Sequence, residues 1–186
     1  MLKETLEHIV HFDSETLHCF VNQFTELELS KGKVFAKKGE YSRKMGFVKS
    51  GILRAFYSND NGEEYNKTFF TKNNFVGAYS SLVTGQKNLI DIDCLTDCTL
   101  LVAEYKKITL LYEQYPQVER LARILAEQFF VRKEKREIEL ATLEAKDRYA
   151  IFQEEHPTLE QLIPQYHIAS YLGVSPTQLS RIRGLK

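Results

Sequence analysis

Residues 165–184 read QYHIASYLGVSPTQLSRIRG. Ile168, Ala169 and Leu172 recur at helical spacing and form one apolar stripe. Gly173 follows where a helix ends in the left-handed conformation, which strains glycine least. Val174 is then expected to point inward. Ser175-Pro176-Thr177-Gln178 has the makings of a second helix start. The Ser175 hydroxyl can accept from the first free N–H groups. Pro176 suits the first helical position, where an N–H would be unpaired anyway. Gln178 stands three residues after the serine, as a capping box requires. Leu179 and Ile182 continue the stripe, Ala169 is small where two helices would cross, and Gly184 is a natural stop. A helix, a glycine turn and a second helix with this inward pattern predict a helix-turn-helix. A plain helical hairpin would satisfy the same core positions, so charge separates the two readings. No acid follows Glu160, whereas Arg181, Arg183 and Lys186 do. The exposed face of the second helix is therefore read as positive and polar, as groove recognition needs.

Immediately upstream, residues 142–155 carry Leu143, Tyr149, Ala150 and Phe152 on an amphipathic helix expected to form the floor under this motif. His156-Pro157 breaks it, and 158–161 is a candidate capping box opening a short turn. Residues 117–140 lack Gly and Pro. Val118, Leu121, Leu125 and Phe129 step by three or four, as one face of a packed helix should. Ile124, Phe130 and Val131 widen the apolar surface, while 132–139 is charge-dense. So apolar a helix, with little chain left to cover it, predicts a dimer contact; packing against its own barrel is the alternative for part of the face.

Further upstream the period changes. Residues 1–29 read as helical, with Leu2, Leu6, Ile9 and Val10 on one side and a turn at Asp13-Ser14. From Lys31 the period is two, with glycine turns at Gly32, Gly39, Gly51 and Gly62. Strands are expected over 33–37, 46–49, 52–58, 65–70, 88–95 and 99–104. Asn59-Asp60-Asn61-Gly62 marks a hairpin, 76–84 a small helix or turn, and 108–115 a short helix ending before Pro116. Many short strands with frequent turns suggest a β-barrel or jelly-roll body.

The chain has 186 residues, 43% hydrophobic, with 25 basic and 25 acidic side chains, so positive charge for DNA must be concentrated locally. The absence of a signal peptide and of any membrane-length apolar run leads to the expectation of a cytoplasmic protein without a membrane partner. Cys19, Cys94 and Cys98 are odd in number and lack C-x-x-C spacing, so they read as unpaired thiols of a reducing compartment. Four thiolates would be wanted for an iron–sulfur cluster. His8, His11 and His18 lack partners for a metal set, so neither metal nor cofactor is expected. No Ser/His/Asp set, phosphate loop or paired carboxylates nominate an enzyme; Glu63-Glu64 and Glu154-Glu155 read as solvated turns.

The β-body, the long helix and the terminal motif together resemble the Crp/Fnr family of bacterial transcription regulators. The resemblance rests on FVKSGILRAFY (47–57), NNFVGAYSSLVTGQKN (73–88) and IASYLGVSPTQLSRIR (168–183), in that order. It implies an α+β chain in three parts: a cyclic-nucleotide-binding-like β-roll sensor over 1–116, a dimerisation helix over 117–140 through Val118, Leu121, Leu125 and Phe129, and a helix-turn-helix DNA-binding domain over 141–186. The chain as given reaches Lys186 directly after the second helix, so the motif is expected without the β-hairpin wing common in the family. A homodimer on a two-fold symmetric duplex site is implied, with RNA polymerase as a further partner. The motif places base contacts on Pro176, Thr177 and Arg181, with Gln178 and Ser180 secondary. Phosphate contacts fall on Gln165, Tyr166, Arg183 and Lys186.

The middle segment corresponds to the family's phosphate-binding cassette, whose positions here are Gly77, Ala78, Tyr79, Ser80, Lys87, Asn88 and Leu89. Members that bind cyclic AMP carry an acid after the glycine, and an arginine followed by Ser or Thr for the cyclic phosphate. Here Ala78, Asn88 and Leu89 occupy those positions. A buried phosphate needs a positive partner and hydrogen bonds, so the chain is expected not to bind cyclic AMP in the family's way. Any effector is of unknown identity and would lie between the β-roll and the long helix. The alternative function is a ligand-sensing or protein-interaction module that has lost DNA binding.

Overall fold

The computed structural model describes residues 1–184. The chain divides into two compact units, one of Met1–Ala55 with Phe69–Gln128, the other of Phe56–Thr68 with the chain from Phe129 onward.

The period-two stretches become the expected β-roll of two four-stranded sheets, which belongs to the first unit apart from residues 56–68. One sheet takes β1 (Thr25–Leu29), β8 (Cys98–Glu104), β3 (Lys44–Ser50) and β6 (Phe75–Val76) in that order; the other takes β2 (Val34–Ala36), β7 (Asp91–Cys94), β4 (Leu53–Ser58) and β5 (Glu64–Phe70). Alternate side chains of the strands, among them Val48, Leu53, Ala55, Ile92, Leu100 and Val102, fill the interior between the sheets. A second cluster packs α1 (Leu2–Glu7), α2 (Ser14–Val21), α4 (Tyr105–Leu110) and the start of α5 (Pro116–Thr142) around Leu6, Phe20, Phe47 and Ile108. The Asp13 carboxylate caps α2 by accepting from the Thr16 N–H at 2.8 Å.

Several expected boundaries are corrected. Residues 25–29 form strand β1 rather than the end of a helix: Thr25↔Val102 through Leu29↔Cys98 pair antiparallel, and Leu27 and Leu29 pack on the roll interior. The glutamates of TELEL favour a helix locally, but ladder pairing to a distant strand outweighs propensity. Strand β6 has two residues and gives no period to read. The short helix runs Tyr105–Leu110, earlier than its apolar spacing suggested. Helix α5 begins at Pro116 itself, which lacks only an N–H that would be unpaired there, and continues to Thr142.

In the second unit α6 (Ala145–Glu155) presents Tyr149 and Phe152 inward, whereas Ala150, expected on that face, is exposed. At α7 (Leu159–Leu162) the Thr158 side chain makes no capping hydrogen bond. α8 (Gln165–Leu172) and α9 (Pro176–Gly184) form the expected helix pair. Among the described residues no helix is long and apolar enough to cross a membrane.

Candidate functional site

The helix pair is assembled as its sequence dictates. Ile168, Ala169, Leu172 and Leu179 are fully buried. Gly173 takes φ +68°, and the Val174 N–H closes the turn on the Ala169 carbonyl at 3.0 Å. Val174 and Ile182, expected inward, are half-buried. Ser175 Oγ accepts from the Gln178 N–H at 3.1 Å, so the serine caps α9.

Two arginines hold α8 from its C-terminal end. The Arg136 guanidinium lies 3.9 Å from the Tyr171 ring centroid and donates to the Tyr171 carbonyl; Arg148 Nε donates to the Leu172 carbonyl at 3.0 Å. Cations placed on the last carbonyls of a helix complement its dipole. Phe152 packs 5.7 Å from Tyr171 between ring centroids, so α6 is a floor under α8.

Fixed in this way, α9 buries Leu179 and leaves Pro176, Thr177, Gln178, Ser180 and Arg181 exposed. Thr177 and Arg181 stand four residues apart and therefore share a face. Tyr166 is also exposed, whereas Gln165 is half-buried and donates to the Glu160 carbonyl at 3.2 Å. Arg183 differs from its expected role: its Nε pairs with Glu160 Oε1 at 2.9 Å. That carboxylate also accepts from Tyr149 OH at 2.7 Å and Gln153 Nε2 at 3.1 Å. The last acid in the sequence thus folds back onto the basic end of α9, a contact that linear charge counting cannot show. Lys186 lies outside the described residues.

Within the same unit the β4–β5 hairpin is fastened to α8. The Asn66 N–H donates to Ser170 Oγ at 2.9 Å, that hydroxyl donates to the Glu64 carbonyl at 2.6 Å, and Asn66 Nδ2 donates to the His167 carbonyl at 2.8 Å. Asn66 and His167 are both buried. The sequence reading missed these residues; the only hint was a polar His and Ser on a helix otherwise read for its apolar stripe.

The cassette positions are split by the fold. Ala78 is buried at the start of α3 (Tyr79–Thr84), where Tyr79 and Ser80 are exposed. A Cβ on Gly77 would approach Leu82 to 3.1 Å. Asn88 is buried, donates through Nδ2 to the Lys37 carbonyl at 3.0 Å, and has no partner for Oδ1 among the described residues. Lys87 is exposed beside the Tyr41 ring, and Leu89 is 74% exposed. Asn88 thus faces in while Lys87 and Leu89 face out.

The proposed dimer face is also divided. Val118 and Leu121 are buried and Leu125 partly buried in the helical cluster of their own chain. Phe129 is half-buried, with Lys67 Nζ 5.8 Å from its ring centroid. The exposed apolar side chains of α5 are Phe130, Val131, Ile138 and Leu140, and Val131 and Ile138 line a groove of about 420 Å³ with Leu143 and Ile151.

Residues 26–115 match the cyclic nucleotide-binding domain family. No curated protein sequence matches the chain. Among solved structures, FixK2 from Bradyrhizobium japonicum superposes with a TM-score of 0.79 at 16% identity, over 87% of this chain and 83% of that one. The c-di-GMP responsive global regulator CLP of Xanthomonas campestris gives 0.72 at 17%, over 93% and 91%. A Crp/Fnr-family protein from Eubacterium rectale gives 0.72 at 16%, over 94% and 83%. Residues 26–115 are thus similar to the cyclic nucleotide-binding domain, and the chain carries the fold of the Crp/Fnr-type structures it superposes on.

Proposed function

We propose that this chain is a homodimeric, sequence-specific DNA-binding transcription regulator of the Crp/Fnr type that acts in the cytoplasm, works with RNA polymerase and does not respond to cyclic AMP. The observation that carries the reading is α9: a capped helix, anchored by buried Leu179, with Thr177 and Arg181 exposed on one face. Arg181 is suited to bond guanine O6 and N7 together, at roughly 1–3 kcal/mol of discrimination. Thr177 and Pro176 offer contact to a thymine methyl, with Gln178 and Ser180 beside them. Tyr166, which is exposed, is assigned a phosphate contact.

The dimer contact is assigned to the exposed part of α5, Phe130, Val131 and Ile138, since Val118 and Leu121 are occupied within the chain. Covering each such side chain contributes roughly 2 kcal/mol. The cassette supports the lack of a cyclic AMP response. Asn88 is engaged with the Lys37 carbonyl, and neither it nor exposed Leu89 supplies a cation for a cyclic phosphate.

The deciding experiment is selection from random duplex DNA by the purified, ligand-free protein. Enrichment of a two-fold symmetric site, with half-sites about 34–36 Å apart, is expected. No enrichment, with or without a small-molecule extract, would favour the second reading, an interaction module without DNA binding. The Arg183–Glu160 pair, which neutralises one expected phosphate contact, is the observation on that side.

A further inference from the structure

Helix α5 ends at Thr142 and α6 begins at Ala145, so only Leu143 and Glu144 join them. Glu144 is extended, with φ −70° and ψ 157°, and its side chain makes no capping hydrogen bond. One extended residue between two helices can absorb a large dihedral change, which is what a hinge needs. The contacts that cross this joint lie within one compact unit and converge on the end of α8. Arg136, on α5, stacks on the Tyr171 ring and donates to the Tyr171 carbonyl, with Glu139 Oε2 3.9 Å from its Nη1. Arg148, on α6, donates through Nε to the Leu172 carbonyl and through Nη1 to the Leu143 carbonyl in the joint itself. Leu140 lies over the α8–α9 turn, where a Cβ on Gly173 would stand 3.4 Å from its Cδ2. Lys135 crosses the joint too, reaching Glu155 at 2.9 Å, but its side chain is 57% exposed against 16% for Arg136. An exposed pair contributes little. A desolvated cation that serves a ring, a carbonyl and a carboxylate together uses the flat fork that only arginine has.

We infer that Arg136 and Arg148 are positioning residues that lock the α5–α6 joint and so fix the half-site spacing the protein accepts on DNA. The inference rests on the DNA-binding dimer paired through α5 that is proposed above. In that dimer the two-fold axis runs beside the exposed stretch of α5, and α9 is the reading helix. The joint lies between them along the chain, so its angle sets how far α9 stands from the axis. Both arginines are engaged with carbonyls at the C-terminal end of α8. They act on spacing through α8, not by touching a base. One base pair inserted between half-sites moves one of them by about 3.4 Å along the duplex and by about a tenth of a turn around it. A locked joint cannot follow both displacements, whereas a free hinge can.

The test is binding of the purified full chain to the two-fold site it selects, rebuilt with one base pair added or removed between the half-sites. The parent protein should bind the shifted duplexes about tenfold or more weakly, the size of one mismatched base pair. Arg136→Lys keeps the charge but loses the stacking plane and the fork. Its penalty for the shifted duplexes should fall toward one, while the half-site sequence it selects stays unchanged. Arg148→Lys should behave in the same way, and it decides the matter where the first variant fails to fold. Lys133→Ala breaks a pair confined to α5, Lys133 with Glu137 at 3.3 Å, and should keep the parent's penalty. The inference is overturned if the folded arginine variants keep that penalty, if they lose affinity equally at every spacing, or if the parent itself tolerates the shift. A parent chain that selects no two-fold site overturns the DNA-binding reading instead, and this inference with it.

Discussion

At Gly51 the backbone takes φ +91°, and a Cβ there would lie 2.4 Å from the Asp97 carbonyl oxygen and 2.6 Å from Cys98 Sγ. Both the backbone region and the space exclude a side chain. Gly51→Ala should therefore lower stability by about 2–4 kcal/mol, combining left-handed strain with overpacking. An unchanged urea midpoint would contradict this packing. On α9 the two arginines are expected to behave differently. Arg181→Ala should relax preference at one base pair per half-site, read by repeating the DNA selection, with a loss of roughly 1–3 kcal/mol on the preferred site. Glu160→Gln should free Arg183. Affinity should then rise for all sequences alike, and the salt slope should steepen by about 0.9 per added phosphate contact per half-site. A slope identical to that of the parent protein would mean Arg183 never reaches a phosphate.

His156 ends helix α6, with its ring centroid 5.3 Å from that of Phe152 and 6.2 Å from that of Tyr171. Burial lowers its pKa, the Glu155 charge opposes that shift, and the Arg136 charge adds to it. The folded chain thus binds this proton less readily than the unfolded chain. The contribution is intact above the unfolded value, about 6.5, and falls away as pH drops through it. Between pH 7.5 and 5.5 the thermal midpoint should fall less in His156→Gln than in the parent protein; equal falls would remove this element from the pH response. The same helices show what local pattern reveals. The α8–α9 turn was legible because Gly173, Ser175 and Pro176 act on their immediate neighbours. Helix α6 was legible through Tyr149 and Phe152. The Arg136 and Arg148 caps on α8 were not, since they come from 35 and 24 residues away.

For the chain as a whole, the proposed association rests on the exposed stretch of α5. Phe130→Glu with Val131→Glu should give a monomer by analytical ultracentrifugation, with helix content kept and binding to the two-fold site lost. Val118→Glu serves as the contrast. It is 1% exposed inside the helical cluster, so an unpaired charge there should unfold the chain rather than dissociate it. A folded monomeric Val118→Glu chain would return the dimer contact to the earlier part of the helix. Calorimetric titration with cyclic AMP should show no binding at micromolar concentration, and micromolar affinity would overturn the reading of Asn88 and Leu89.

Period-two stretches, glycine turns, a long uninterrupted helix and a capped helix pair were enough to set out the β-roll, α5 and the α8–α9 motif, because these signals act within a few residues of chain. Distant pairing decided the rest. Strand β1 exists because β8 lies beside it, against the local helical preference of its glutamates. Val118 and Leu121 read as a free apolar stripe until α1, α2 and α4 cover them, while Phe130 and Val131 on the same helix stay open. Glu160 reaches back to Arg183 across more than twenty residues of chain. Burial and charge pairing depend on which segments meet in space, and one-dimensional spacing carries no term for that.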